Sequence, residues 1–272
     1  MKIALIQQIA EKNREENQKK GLLAIERAAS EGAKVLCFAE LAFERFYPQR
    51  PATSKSLAMA QAVNEQNLAP FCEKAARHGV VIILNMFERD GKYTYDSSPV
   101  IDSNGKLLGI TRMAHITEYE GFHEQGYYTP GDSGPVVYQT EFGRIGVAIC
   151  YDRHYPEYMR ALALRGADVV FIPQAGAVGE WPEGLYEAEM RVAAFQNGYY
   201  TALCNRVGKE EVLTFSGGSF VCTPLGEVLV RGNDHTDDIV YADLDLKAVS
   251  DSHARRLFFR DRRADLYAQW LK

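Results

Sequence analysis

The chain has 272 residues, of which 46% are apolar, and a formal net charge of −5 with both signs interspersed. This composition predicts a compact globular protein of one or two domains and excludes a disordered or fibrous class. An acidic chain offers no broad basic field for nucleic acid or an anionic membrane surface, so chemistry on a small-molecule substrate is favoured.

Targeting and metal-binding signals are weak in this sequence. The amino-terminal apolar stretch is too short for a signal peptide and no later run reaches membrane-spanning length, so we expect a cytoplasmic protein. Five cysteines at scattered spacings predict free thiols. Since the chain has neither a CxxC pair nor an HxxxH pair, we expect no metal and no cofactor.

Strand and helix patterns alternate along the chain, which predicts an α/β fold in a single domain over residues 1–272. The first half predicts strands at 3–7, 33–38 and 80–85, helices at 13–31 and 68–78, and a hairpin of 98–101 with 106–110 across an Asn-Gly turn. The second half predicts strands at 145–149, 168–172 and 199–204, helices at 155–165 and 185–197, and antiparallel strands at 214–222, 227–231 and 238–243.

Cys150 directly follows the apolar strand at 145–149, and Glu40 directly follows the strand at 33–38. Open α/β sheets bind ligands beyond the carboxyl ends of their strands, so these two side chains could form a nucleophile and base pair. A helix start after Cys150 would favour its thiolate near neutral pH. The residues taken singly also fit a buried core cysteine and a solvated or helix-capping glutamate.

Several motifs in order resemble those of the nitrilase superfamily of carbon-nitrogen hydrolases. Phe38-Ala39-Glu40-Leu41 is similar to the segment of the catalytic glutamate, with Ala39 in place of the usual proline. Residues 146–152 around Cys150 resemble the nucleophile motif, and residues 122–132 resemble the loop of a second active-site glutamate, here Glu124. Further similar segments lie at 204–208, 216–220 and 261–267.

The resemblance implies a four-layer αββα sandwich of the nitrilase type that forms a homodimer or higher homo-oligomer. It implies that the carboxyl-terminal tail, about residues 253–272, is a strap at the subunit interface. It also implies a Cys-Glu-Lys triad that hydrolyses amides, nitriles or carbamoyl groups, in which Cys150 attacks the carbonyl carbon and Glu40 transfers the protons. The Tyr151 backbone amide and the family's lysine would then stabilise the oxyanion.

The chain departs from this pattern at the lysine, because the segment Thr111-Arg112-Met113-Ala114-His115-Ile116 has Met113 at that position. Methionine provides neither charge nor donor, and loss of one oxyanion donor lowers the rate on the order of 10² to 10³. Without the cation, proximity of Glu40 and Glu124 would favour protonation of at least one of them. Arg112 and His115 are poor substitutes, since neither starts from the right backbone position.

Three explanations of Met113 stay open: an engineered knockout, a natural relative with altered chemistry, and a family member that only binds its ligand. The other active-site residues that the resemblance identifies are all present in the chain. A decayed enzyme would have lost several of them, so an engineered or recent change is favoured.

Arg153 is the clearest indication of the substrate, because a guanidinium group pairs with a carboxylate through two parallel hydrogen bonds. The Arg153-His154 pair resembles family members that hydrolyse N-carbamoyl amino acids, including N-carbamoyl-β-alanine. We therefore expect Arg153, His154 and Tyr127 to bind substrate. The alternatives are a surface ion pair of Arg153 with Asp152 or Glu157, a dicarboxylic monoamide or nitrile as substrate, and a non-catalytic binding protein.

Overall fold

The computed structural model describes residues 1–270. Its strands are β1 (Lys2–Gln7), β2 (Val35–Phe38), β3 (Val81–Ile83), β4 (Met86–Asp90), β5 (Tyr93–Ile101), β6 (Leu107–Arg112), β7 (Glu118–Tyr119), β8 (Phe122–His123), β9 (Val137–Thr140), β10 (Gly143–Val147), β11 (Val169–Gln174), β12 (Tyr200–Asn205), β13 (Val207–Lys209), β14 (Thr214–Ser216), β15 (Phe220–Cys222), β16 (Val228–Arg231) and β17 (Asp238–Asp243).

The α-helices are α1 (Arg14–Ser30), α2 (Ser54–Leu57), α3 (Glu65–His78), α4 (Pro156–Leu164), α5 (Leu185–Asn197), α6 (Lys247–Asp251) and α7 (Ala264–Trp270). Short 3₁₀ turns occupy Tyr47–Gln49, Glu124–Gly126 and Cys150–His154, and a π-helical turn occupies Ala254–Phe258.

Two large sheets pack face to face and have helices on their outer faces. Within residues 1–270 the first sheet is 7-stranded in the order β17-β1-β2-β3-β5-β4, with β6 paired to β5. The second is 6-stranded in the order β16-β15-β12-β11-β10-β9. Each has a parallel centre, β1-β2-β3 in one and β10-β11-β12 in the other, so the carboxyl ends of these strands share an edge.

Side chains that alternate along each central strand divide the core into three apolar layers. Leu5 and Val147 belong to the layer between the sheets. Ala4 packs with residues of α1 and α3 in a second layer, and Ala148 packs with residues of α4 and α5 in a third. The four layers of the predicted αββα sandwich are therefore confirmed, and all of them belong to one chain.

Most predicted elements lie close to their expected bounds, and one prediction is wrong. The single strand at 214–222 is two strands, β14 and β15, because Gly217 and Gly218 lie between them with φ of 60° each. The predicted antiparallel strand at 238–243 is confirmed as β17, which pairs antiparallel with β1 in the first sheet. The sequence patterns also missed β4 and β9.

The tail that was predicted as an interface strap begins on its own subunit. Arg255 donates hydrogen bonds to the carbonyl oxygens of Ala163, Ala167 and Gly198, which fixes the start of the tail on the α4 and α5 layer. Residues 271–272 of the strap lie outside the described residues, and its role at an interface stays a prediction. Among residues 1–270, no helix combines the length and apolarity needed to cross a bilayer.

Candidate active site

Cys150 lies in a sharp turn just beyond β10. Its φ is 42°, a left-handed conformation that is uncommon for a residue other than glycine and often occurs at functional sites. The Asp152 amide donates to the Ile149 carbonyl at 2.9 Å, and Arg153 Nη1 donates to the Cys150 carbonyl at 2.9 Å. The turn is therefore held by its own chain, with the thiol at the shared edge of the sheets.

Glu40 follows β2 and is fully buried. The next residue, Leu41, also has a left-handed φ of 45°, and its amide donates to Asn85 Oδ1 at 2.8 Å. Arg206, itself buried, donates from Nη1 to the Glu40 carbonyl at 2.8 Å. Buried side chains of neighbouring segments thus fix the backbone that carries this carboxylate.

Glu124 begins the 3₁₀ turn after β8, and its Oε2 accepts a long hydrogen bond of 3.4 Å from the Thr117 amide. One ligand atom from each of Glu124, Glu40 and Cys150 lies within 4.8 Å of the others. The structure therefore brings the three predicted residues together. The same spacing of two carboxylate oxygens and a sulfur could hold a metal ion, so the absence of a metal stays a prediction.

Met113 directly follows β6 and packs in the same apolar cluster as Cys150. Its neighbour Arg112 binds Glu88 through two hydrogen bonds of 2.8 and 2.6 Å. His115 Nδ1 lies 2.7 Å from Asp152 Oδ1. Arg112 and His115, the two residues considered as substitutes for the family's lysine, therefore bind other carboxylates.

Asp96 is a buried carboxyl group of the site that the sequence analysis missed. It lies on β5 across from Met113, whose amide donates to the Asp96 carbonyl at 2.9 Å. Asn85 Nδ2 donates to Asp96 Oδ1 at 2.5 Å, and burial raises the pKa of Asp96 to about 7. The Asp96 carboxyl lies against that of Glu40, and burial followed by the nearby carboxylates raises the pKa of Tyr128.

Burial, followed by neighbouring negative charge, raises every acidic pKa in this cluster. The pKa of Glu40 is raised well above its usual value by burial, then by Asp96 and Glu124. Burial and Asp96 likewise raise the pKa of Glu124. Burial, Glu40 and Glu124 raise the pKa of the Cys150 thiol, against the opposite effect of Arg153. These directions run against the predicted thiolate near neutral pH. The segment that starts at Cys150 is the 3₁₀ turn Cys150–His154, and α4 begins at Pro156.

A model of the family described as carbon-nitrogen hydrolase matches residues 2–254. The chain belongs to the carbon-nitrogen hydrolase family. It is 34% identical to N-carbamoylputrescine amidase of Arabidopsis thaliana, over 89% of this chain and 86% of that protein. It is 30% identical to citrullinase of Francisella tularensis, over 98% of this chain and 96% of that protein. A carbon-nitrogen hydrolase from Helicobacter pylori G27 superposes with a TM-score of 0.94 at 29% identity, over 100% of this chain and 98% of that one.

Membership of the carbon-nitrogen hydrolase family makes the chain a hydrolase of carbon-nitrogen bonds other than peptide bonds. The enzymes that it resembles process small molecules, in agreement with the expectation of a small-molecule substrate. Its fold confirms the nitrilase-type sandwich that the motifs implied.

Arg153 of this carbon-nitrogen hydrolase is buried beneath the nucleophile turn. Its Nη1 donates to Gln174 Oε1 at 2.9 Å as well as to the Cys150 carbonyl, and its Nε lies 3.4 Å from Glu189 Oε2. The alternative of a surface ion pair with Asp152 or Glu157 is therefore wrong. Arg153 Nη2 is buried and has no hydrogen-bond partner within residues 1–270, which leaves a donor for a ligand.

His154 and Tyr127, the other two predicted substrate-binding residues, contact different parts of the chain. His154 is half-buried, with Nδ1 2.6 Å from Glu189 Oε1 and its ring 5.3 Å from that of Trp181. Tyr127 packs in the core with its ring 5.9 Å from that of Phe87. Their roles in substrate binding stay predictions.

A second missed feature of this carbon-nitrogen hydrolase is a carboxylate with two tyrosines close to Cys150. The hydroxyl groups of Tyr119 and Tyr186 both donate to Glu180, which follows β11. Burial and the negative charge of Glu180 raise the pKa of both tyrosines, and Cys150 contributes to each shift. Glu180 could have been noticed as a carboxylate placed, like Glu40, in the loop after a central strand.

Proposed function

We propose that Cys150 is the nucleophile of a thiol-dependent amidohydrolase whose substrate is a small carboxylated ureido compound, most simply an N-carbamoyl amino acid. The observation that carries the proposal is the placement of the Cys150 sulfur and the oxygens of Glu40 and Glu124 within 4.8 Å of one another. Two relatives, N-carbamoylputrescine amidase and citrullinase, are named for substrates that contain a ureido group.

The proposed reaction has two stages. As the Cys150 sulfur attacks the ureido carbon, Glu40 accepts the thiol proton and then gives it to the departing nitrogen, so that ammonia leaves and a thiocarbamate remains. Glu40 then accepts a proton from water as the water attacks, and it returns that proton to the sulfur as the carbon-sulfur bond breaks. The freed carbamic acid decomposes to the amine and carbon dioxide. The Tyr151 amide would donate to the oxyanion in both stages, and Met113 adds no second donor.

Arg153 is proposed to bind the carboxylate of the substrate. Its unpartnered Nη2 is a buried charged donor, and such a donor carries a desolvation cost that an anionic ligand would offset. Its other amino nitrogen binds the Cys150 carbonyl, so one guanidinium group would fix both the nucleophile and the substrate. His154 and Tyr127 are proposed as further substrate contacts.

The function is tested by ammonia release from N-carbamoyl-β-alanine and from its uncharged analogue N-propylurea. We expect slow hydrolysis by the natural chain, a preference for the carboxylated compound, and a gain on the order of 10² in kcat/KM for Met113→Lys. Met59→Lys makes the same change at an exposed methionine and should alter nothing.

Intact-mass measurement during turnover locates the intermediate. A thiocarbamate adduct on Cys150, absent from Cys150→Ala, is the expected result. Undiminished activity of Cys150→Ala, or an adduct on another cysteine, would contradict the proposal. If Met113→Lys raises hydrolysis of both ureas equally and neither form of the enzyme prefers the carboxylated urea, the proposed role of Arg153 is refuted. The role of Cys150 as nucleophile would not be affected.

A further inference from the structure

The site combines a cysteine with three buried carboxyl groups. Glu40, Asp96 and Glu124 are each at most 1% exposed. As carboxylates, the Glu40 oxygens, Oδ2 of Asp96 and Oε1 of Glu124 accept no hydrogen bond from an N–H group within residues 1–270, and the Glu40 carboxyl lies against the Asp96 carboxyl and the Cys150 thiol. In that part of the chain none of the three takes part in an ion pair, because the nearby Arg112, His115 and Arg153 bind elsewhere.

Such a site is poorly matched to a neutral reacting group. Attack on an amide or ureido carbonyl places negative charge on oxygen, and carboxylates close by oppose that charge. The unpartnered oxygens can accept hydrogen bonds, but they donate one only when protonated. The arrangement is complementary to a ligand that brings positive charge and several N–H donors.

Guanidinium and amidinium groups have these properties. Each is a planar cation whose N–H bonds pair with carboxylate oxygens in a fixed geometry. Thiolate attack on the central carbon gives a neutral tetrahedral intermediate, so no oxyanion forms in that step. The ammonium that Met113 replaces would be dispensable for such a substrate, and at this distance it would repel the cation.

We propose that the reacting group for which this site is suited is a guanidinium or amidinium cation, which Cys150 hydrolyses to the ureido or amide compound and ammonium. This inference rests on the proposed role of Cys150 as nucleophile and extends the substrate class of the same site. Arg153 would still bind a carboxylate at the other end of the molecule, so the substrate is a guanidino or amidino acid.

The steps balance without any further reactant. Glu40 accepts the thiol proton while sulfur bonds to the guanidinium carbon, which gives a neutral carbon bearing sulfur and three nitrogens. Protonated Glu40 returns its proton to one amino group, the carbon-nitrogen bond breaks, and ammonia leaves a cationic S-linked isothiouronium. Glu40 then accepts a proton from the attacking water, the carbon-sulfur bond breaks, and the thiol recovers a proton from the new hydroxyl group. The ureido product departs, and ammonia leaves the site as ammonium with the proton held by Glu40.

Asp96 adds a third carboxyl group to those of Glu40 and Glu124. Its backbone carbonyl accepts a hydrogen bond from the Met113 amide, so a carboxyl group and an apolar side chain are neighbours at the site. A cationic ligand would supply the positive charge that Glu40 and Asp96 otherwise obtain from bound protons. Asp96 would therefore favour the cation over its neutral analogue by electrostatics.

An isosteric pair of substrates tests the inference. 3-Guanidinopropionate and N-carbamoyl-β-alanine have the same size and shape and differ at one position. The guanidino compound has a nitrogen of the cationic group where the ureido compound has its carbonyl oxygen. We expect the natural chain to favour the guanidino compound by about 10-fold or more in kcat/KM, the size of one close charge interaction. The ureido compound should accumulate with ammonium in equal amounts.

Three variants test whether the charge of the site determines the preference for the guanidino compound. Met113→Lys should reverse it, raising ureido hydrolysis while lowering guanidino hydrolysis, and Asp96→Asn should lower the guanidino preference. Met59→Lys is the matched control and should keep the natural ratio. Because Asp96→Asn could alter folding, a second measurement uses the natural chain. Each compound is tested for its ability to protect Cys150 from alkylation by iodoacetamide. 3-Guanidinopropionate should protect at a lower concentration than N-carbamoyl-β-alanine.

The outcomes separate this inference from the proposed function. Faster ureido than guanidino hydrolysis by the natural chain, or a ratio that Met113→Lys leaves unchanged, overturns the inference and leaves the amidohydrolase intact. Failure of Cys150 to form an adduct with either compound overturns both. Loss of guanidino hydrolysis after EDTA treatment, with recovery on adding zinc, would show that a metal ion occupies the carboxylates and would also overturn the inference.

Discussion

Two neighbouring residues, Asp96 on β5 and Met113 just after β6, contribute to the charge of the site in different ways. Met113 adds no positive charge, and Asp96 adds a carboxyl group whose pKa burial raises to about 7. The pKa of Glu40 is also raised, first by burial and then by Asp96, so both carboxyl groups hold a proton more tightly than exposed carboxyl groups do. At the residue scale, burial of these carboxyl groups therefore favours their protonated forms.

Burial of Asp96 makes folding stability depend on pH. The folded-state pKa of Asp96 is about 7 against a usual value of 3.8, so the folded chain holds a proton on Asp96 more tightly than the unfolded chain does. The resulting stability is complete below about pH 4 and is lost as the pH rises towards 7. Asp96→Asn cannot lose a proton and should avoid that loss.

We therefore expect the natural chain to lose about 1–3 kcal/mol of unfolding free energy, relative to Asp96→Asn, between pH 5 and pH 8. Urea unfolding at the two pH values measures the difference. Asp132→Asn, at an exposed aspartate, serves as the control and should follow the natural chain. Parallel pH dependence of the natural chain and Asp96→Asn would contradict the raised pKa of Asp96.

The sequence could predict Cys150, Glu40 and Glu124, because each follows a recognisable strand or motif. It could not predict Asp96. Next to the hairpin turn, Ile101 of β5 pairs with Leu107 of β6, and an unbroken register from there would place Met113 opposite Tyr95. A bulge between Val100 and Ile101 shifts the register by one residue, which places Met113 opposite Asp96. A bulge of one residue exchanges the two faces of a strand, and no pattern in the sequence marks it.

At the scale of elements, the turn that carries Glu40 depends on a segment distant in sequence. Arg206, between β12 and β13, donates to the carbonyls of Glu40 and Glu44 at 2.8 Å each and pairs with Glu210. Since Arg206 and Glu210 are both almost fully buried, the pair is shielded from solvent. The motif at 204–208 was noticed in the sequence, but the contacts of Arg206 follow only from the packing of the two sheets.

Arg206→Met should lower the unfolding free energy by about 3–5 kcal/mol, because Glu210 and several carbonyls would be buried without their partner. Arg50→Met removes an exposed arginine paired with Glu211 and should cost less than about 1 kcal/mol. Urea unfolding measures both. If Arg206→Met fails to fold, Glu210→Gln provides a milder disruption of the same pair. Equal costs for Arg206→Met and Arg50→Met would contradict a structural role for Arg206.

At the scale of the molecule, one outer face carries exposed apolar side chains from two segments. Val192 and Phe195 lie on α5, and Leu257 and Phe258 lie in the tail, each between 37% and 52% exposed. The rings of Phe195 and Phe258 are 5.6 Å apart, so the segments form one patch. Contiguous apolar surface of this kind is typical of protein interfaces, and a symmetric dimer would bury the patch against its own copy.

The predicted homodimer is therefore expected to use the patch of α5 and the tail. Val192→Glu and Phe258→Glu each place a charge in it and should shift the protein from dimer to monomer, as measured by size-exclusion chromatography with light scattering across a concentration series. Leu23→Glu introduces the same charge at a 58% exposed leucine on α1, in the opposite helical layer, and should leave the dimer intact. Unchanged circular dichroism would separate dissociation from unfolding. The prediction is contradicted if the natural chain stays monomeric at all concentrations. It is also contradicted if only Leu23→Glu disrupts the dimer, because the two subunits would then not meet at the patch of α5 and the tail.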